Sequence, residues 1–253
     1  MRAATSESTR ERMISVTALV LLISIGSLVP NVAAQADKYP KIAPVDQYLM
    51  ERNAEILLAR SAAPDSISSD ATVLILGRQG YETAVEGRNG WVCLVERSWL
   101  GMFDWPEFWN PKVRAADCLN PQAARSILPI AALRARMVMA GRSKAEIVSA
   151  IKAAFQNNQL PNLESGAMAY MMSKSSYLTD EGGHNVPHLM FFTPVKDSKD
   201  WGSGAVGSPV MSSPYWFISP KEQSQINGLP PILVFLVMVA NWSDGTAVHA
   251  SSA

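Results

Sequence analysis

Cys93 and Cys118 are the two cysteines of this chain. In an oxidising compartment such a pair forms a disulfide. The bridge would close a loop of about 25 residues and contribute roughly 3 kcal/mol by restricting the unfolded chain. The competing readings are two inert core thiols or one reactive cysteine. No histidine or local nucleophile motif accompanies either residue, so a catalytic cysteine has no support.

The second group is Asp180-Glu181-Gly182-Gly183-His184-Asn185-Val186-Pro187-His188, with two carboxylates and two imidazoles within nine residues. Metal sites use such groups, and His184 and His188 are the candidate ligands. Met168, Met172 and Met190 lie nearby in sequence, which makes a soft transition metal such as copper the one to test. The same residues could hold a general base, with Glu181 or Asp180 orienting His184. Pro187 and the glycines argue against a helix, so the four-residue spacing does not align the two rings. His188 alternates with Met190 and Phe192, and a hydrogen-bonded core histidine is the simpler reading.

The third group is aromatic. Trp99, Phe103, Trp105, Phe108 and Trp109 fall within eleven residues, among Asp104, Glu107 and Asn110. Aromatic faces beside carboxylates and amides suit a glycan or another small amphipathic molecule. The competing reading is a loop that packs its own aromatics over the sheet. An irregular segment of about twenty residues is uncommon unless it carries function.

The elements that must position these groups follow from pattern. Asp46 to Arg60 reads as a helix with Tyr48, Leu49, Ile56 and Leu57 on one face and Glu51, Arg52 and Glu55 elsewhere. Strands are expected at 72–76, 81–86 and 91–95, joined by short glycine-bearing turns, as an antiparallel meander whose third strand is internal. Residues 98–119 read as irregular. Asn120-Pro121 is a helix start, with a restart at Pro129 and a stop at Gly141. Ser143-Lys144-Ala145-Glu146 is a capping box that opens a further helix. Ile147, Val148, Ile151 and Phe155 would face inward. Apolar runs at 167–173, 188–193 and 232–240 supply three more strands. Residues 194–230 read as surface excursions. The expected fold is a single α+β domain with a largely antiparallel sheet of about six strands covered by helices.

Composition excludes several classes. The chain has 253 residues, 22 basic and 22 acidic, 48% hydrophobic and 17% charged. It is too apolar to be disordered. It lacks the positive excess that nucleic-acid binding needs. Residues 1–36 read as a signal peptide: Arg2, Arg10 and Arg12 precede an apolar stretch from Met13 to Val29, and small residues around Ala34 and Ala36 suit cleavage. The stretch falls short of the roughly 20 apolar residues of a membrane span, although an uncleaved anchor is the alternative. Cleavage would remove three basic and two acidic residues and leave 37–253 nearly neutral, with no transmembrane segment. The protein is thus expected in the periplasm or outside the cell. Ser149-Ala150-Ile151-Lys152 matches a penicillin-recognising motif by spacing only, because no Lys-Thr-Gly follows.

Ala59-Arg60-Ser61-Ala62-Ala63-Pro64, Gly90-Trp91-Val92-Cys93-Leu94-Val95-Glu96-Arg97-Ser98-Trp99, Phe108-Trp109-Asn110-Pro111, Asn120-Pro121-Gln122-Ala123-Ala124-Arg125-Ser126 and Gly182-Gly183-His184 resemble an uncharacterised family of exported bacterial proteins. The resemblance implies export and a single domain, and it brings no activity. The leading functional expectation is a ligand-binding domain that uses Trp99, Phe103, Trp105 and Trp109 next to the His184 turn. The alternatives are an extracytoplasmic hydrolase or metal-dependent enzyme built on His184, His188, Glu181 and Asp180, and a structural or interaction module.

Overall fold

Alternation of apolar residues drives this chain into strands, and those strands form one large sheet. The computed structural model describes residues 38–184, 186–195, 198–214 and 227–248; the signal peptide expected at 1–36 lies outside them. The strands are β1 (Thr72–Gly77), β2 (Gly80–Val85), β3 (Val92–Glu96), β4 (Ala115–Leu119), β5 (Met168–Met171), β6 (Tyr177–Thr179), β7 (Gly183–His184), β8 (His188–Thr193), β9 (Val210–Pro214) and β10 (Leu233–Met238). The helices are α1 (Arg52–Arg60), α2 (Asp65–Ser68), α3 (Pro121–Ser126), α4 (Leu128–Met139) and α5 (Lys144–Gln156). Among the described residues the main sheet has eight strands in the order β2-β1-β3-β4-β5-β8-β10-β9, and β6 and β7 pair apart from it. The fold is therefore α+β and mostly antiparallel, with β4 and β9 added to the six strands legible in the sequence.

The expected meander is corrected. β1 and β2 form an antiparallel hairpin, but β3 pairs with β1 in parallel. The chain leaves β2 at the sheet edge and crosses the end of β1 to reach its far side. Gly87 makes the crossing possible: a Cβ there would overlap the Thr72 nitrogen and the Asp70 carbonyl oxygen. The Arg88 amide donates to the Asp70 carbonyl (2.9 Å), and the Asn89 side chain donates to that of Ile67 (2.7 Å). The Asn-Gly pair thus serves a crossover and not a hairpin. β3 is internal, as its continuous apolar character predicts.

Residues of alternating parity face opposite sides of the sheet. One face carries Leu76, Leu94, Leu119, Ala169, Phe192 and Val234 and packs against α3, α4, α5 and the aromatic loop. The other carries Val73, Cys93, Val95, Ala116 and Cys118 beneath Ala59, Ala62 and Ala63. Cys93 and Cys118 are directly opposed across β3 and β4, and their sulfurs are bonded at 1.97 Å.

The helix signals mostly hold. The Asn120 side chain accepts from the Ala123 amide (2.9 Å), and the α5 capping box is formed by Ser143 and Glu146. Such a cap stabilises by about 1 kcal/mol. α5 turns Ile147, Val148, Ile151 and Ala154 inward. The first helix differs from expectation. It begins at Arg52, after Glu51 has capped the Asn53 and Ala54 amides. Glu55 and Ala59 face inward, whereas Leu57 is 70% exposed. The apolar face read from the sequence is displaced because a buried arginine, Arg97, draws Glu55 into the core (2.8 Å). No helix among the described residues is long and apolar enough to cross a membrane.

Candidate functional site

The aromatic segment is largely core. Trp99, Phe103, Phe108 and Trp109 are all buried. Tyr48 lies edge-on to Trp99, with centroids 4.5 Å apart, and Phe108 meets Trp109 the same way at 4.6 Å. Aromatic pairs of this kind add about 0.5–1.5 kcal/mol to their burial. The Tyr48 hydroxyl donates to the Trp109 carbonyl (2.9 Å), and Ser98 donates to that of Phe108 (2.7 Å). From α4, Arg134 donates to the carbonyls of Leu100 (3.3 Å) and Gly101 (2.7 Å), with its guanidinium over the Phe103 ring (4.4 Å). Trp99, Phe103 and Trp109, expected to bind ligand, instead hold the loop rigid. Trp105 alone of the four lines a cavity.

That cavity, of about 430 Å³, lies between the loop and the sheet face that carries Leu94. Leu100, Met102 and Trp105 contribute from the loop. Met171, His188, Met190, Phe192 and Leu236 contribute from β5, β8 and β10. Glu96, the last residue of β3, is its acidic member.

Glu96 has a neighbour that the sequence reading missed. Glu96 pairs with Ala115 and Leu94 with Asp117, so Glu96 and Asp117 are diagonal neighbours on one face. Such neighbours lie within reach of long side chains. Asp117 is 1% exposed, and no donor among the described residues meets hydrogen-bond geometry with either of its oxygens. The Glu96 carboxyl lies within bonding reach, a contact that requires one of the two acids to hold a proton. Burial pushes Glu96 up to about 7, while the Arg134 guanidinium and the contact with Asp117 draw it back. Burial, then the Glu96 charge, pushes Asp117 well above the usual carboxylate range. The pair binds one proton near neutral pH and titrates as a unit.

A group whose folded pKa is raised stabilises the fold below its unfolded pKa and loses that contribution as pH rises through the folded value. For Glu96 the window runs from about 4.3 to about 7. Urea unfolding is therefore expected to show stability falling over this range, with a shallower slope in Glu96→Gln. An unchanged slope in the variant would contradict the assignment.

His188 lines the cavity two strands away from Asp117, about 10 Å at ordinary strand spacing. Its Nδ1 lies 2.7 Å from the Val186 carbonyl oxygen, which can only accept. The ring therefore carries its proton on Nδ1 and presents Nε2 as an acceptor. Burial lowers its pKa and keeps the ring neutral.

Asp180 is not a base. It accepts from Lys38, from the Tyr39 hydroxyl (2.8 Å), the Tyr177 hydroxyl (2.5 Å) and Lys112 (3.0 Å). These donors, Lys38 foremost, hold its carboxyl far below the usual range. Its backbone amide donates to Glu107, so the residue ties the lead-in, the aromatic loop and the β6–β7 turn together. Glu181 is exposed in that turn. The His184 backbone pairs with Tyr177 in the small ribbon, while its side chain lies outside the described residues. Among the described residues, no group of three or more His, Cys, Asp or Glu could hold a metal.

No protein family, curated protein or solved structure matches the chain in the three comparisons.

Proposed function

We propose that this chain is an exported ligand-binding domain that takes a small, mostly apolar molecule into the cavity under its aromatic loop. The observation that carries the reading is that cavity: about 430 Å³, walled mostly by apolar side chains, with Glu96 as the acidic residue of its lining. Its volume falls in the usual range of small-molecule sites. The roof is stapled to α4 by Arg134, and the two strands from which it springs are joined by the disulfide, so the site is organised before a ligand arrives. Such preorganisation lowers the entropy lost on binding. A glycan suits it less well, because sugar hydroxyls would meet few partners on this lining. Export is supported by the disulfide, which forms in oxidising compartments, and fits the exported proteins that the sequence resembles.

The test uses the neutral apolar fluorophore N-phenyl-1-naphthylamine. The purified protein is expected to bind one equivalent saturably. Met190→Trp, which fills the cavity, is expected to abolish binding with an unchanged circular dichroism spectrum. Trp105→Ala is expected to weaken it several-fold. Non-saturable binding, or full binding by a folded Met190→Trp variant, would refute the assignment.

A second reading is favoured by the proton that the Glu96–Asp117 pair retains near neutral pH: general acid catalysis on a bound apolar substrate. It uses the same cavity and not the histidine cluster, where Asp180 is saturated and Glu181 is exposed.

A further inference from the structure

We infer that the cavity's ligand carries a protonated amine on an apolar body, with the ammonium seated on Glu96, which Asp117 backs. This inference rests on the binding reading and names the ligand class for that site.

The first support is the state of Asp117. It is a buried carboxyl whose oxygens meet no partner in good hydrogen-bond geometry among the described residues, with the Glu96 carboxyl and the Cys118 amide as its near polar neighbours. A buried polar atom without a partner costs about 1–3 kcal/mol. A cation seated on Glu96, the neighbour of Asp117 that lines the cavity, offsets that cost. The second support is the polarity of the lining. Glu96 and His188 Nε2 are acceptors. Of the lining residues with donors, Ser98 gives its proton to the Phe108 carbonyl (2.7 Å) and Arg97 gives its N–H groups to Tyr48, Val95 and Glu55, while Trp105, Thr179 and Ser213 carry neutral donors and no charge. An ammonium offers three donors and no acceptor, the complement of such a lining. A carboxylate ligand would meet like charge at Glu96. The third support is that the nearby Arg134, which donates to two loop carbonyls and covers the Phe103 ring, favours the ionised form of Glu96 that an ammonium needs.

An ammonium arriving at a pair that shares one proton displaces that proton to solvent. One cation enters as one leaves, and the local charge is unchanged. The charged and titratable groups around the pair are Arg134 from α4, Tyr81 from β2 and, across the cavity, His188 from β8. Burial raises Tyr81 further and keeps it protonated. Burial favours the neutral His188 ring, so the carboxyl pair dominates the expected dependence.

The test compares octylamine, octanol and octanoate by titration calorimetry on the full chain at pH 8 and pH 6. Octylamine is expected to bind about 10-fold more tightly than octanol at pH 8, the equivalent of one charge-assisted contact. That preference should shrink markedly at pH 6, while octanol should be unaffected by pH. Octanoate should bind more weakly than either. Glu96→Gln is expected to erase the amine preference and keep octanol binding, which also reports that the variant is folded; Asp117→Asn provides a second check. Equal affinities for amine and alcohol, or tighter octanoate, would overturn the amine assignment and leave the cavity reading standing. No binding of any of the three would overturn the cavity reading itself.

Discussion

Arg97→Ala is expected to destabilise the protein by about 3–5 kcal/mol, the usual effect of breaking a buried ion pair from one side. Arg97 and Glu55 are 0% and 1% exposed and lie 2.8 Å apart. The guanidinium also donates through Nε to the Tyr48 carbonyl (2.8 Å) and through Nη1 to that of Val95 (2.5 Å). Removing it strands the Glu55 carboxylate, with the Leu76 amide (3.1 Å) as its remaining donor among the described residues, and unties the segment around Tyr48 from β3. The reverse design is as informative. Replacing both partners, Glu55→Leu with Arg97→Met, removes the stranded charge and should recover most of the loss. Urea unfolding of the four proteins in this cycle measures the coupling. A single-mutant loss below about 1 kcal/mol would mean that the pair is solvated and that its place in the core has been misread.

The second large effect concerns the disulfide. Cys93→Ala with Cys118→Ala is expected to cost about 3 kcal/mol, from the loop that 25 residues of separation closes. The loss should appear as a lower unfolding midpoint with little change in the native spectrum, because Ala fits both buried positions. Thiol labelling of the denatured, unreduced protein should find no reactive cysteine. Quantitative labelling of both would refute the bridge.

Much of this architecture was legible because strands and caps leave local marks. The capping box at Ser143, the Asn120 cap, and the apolar runs of β1, β3, β8 and β10 each signal themselves within a few residues. The pairing of those strands was not local. Asn89-Gly90 resembles a hairpin turn, and only the contact of Gly87 with the backbone at 70–72 shows that the chain crosses over β1. β4 was hidden inside a segment dominated by aromatics, although its five residues are apolar but for one. That exception, Asp117, was the available clue to the site. An acid within a buried run, and Glu96 continuing the alternation Val92, Leu94, Glu96, both break the apolar face at one end of the sheet. Glu55 and Arg134 read as solvated helix charges because a helix pattern cannot show that a partner waits inside. The histidine cluster looked more chemical than the carboxyl pair because its members are close in sequence. Glu96 and Asp117, twenty-one positions apart, become neighbours only through the β3–β4 register.

That register has a further consequence. A slip of one residue between β3 and β4 would carry Asp117 to the opposite side of the sheet, because side chains alternate. Cys93 and Cys118 are joined on one face while Glu96 and Asp117 meet on the other. The covalent bond therefore works as a gauge block. It touches nothing in the cavity, yet it fixes through the thickness of the sheet how far apart the two acids sit. Oxidation of the cysteines thereby sets the spacing of an acid pair that neither sulfur contacts.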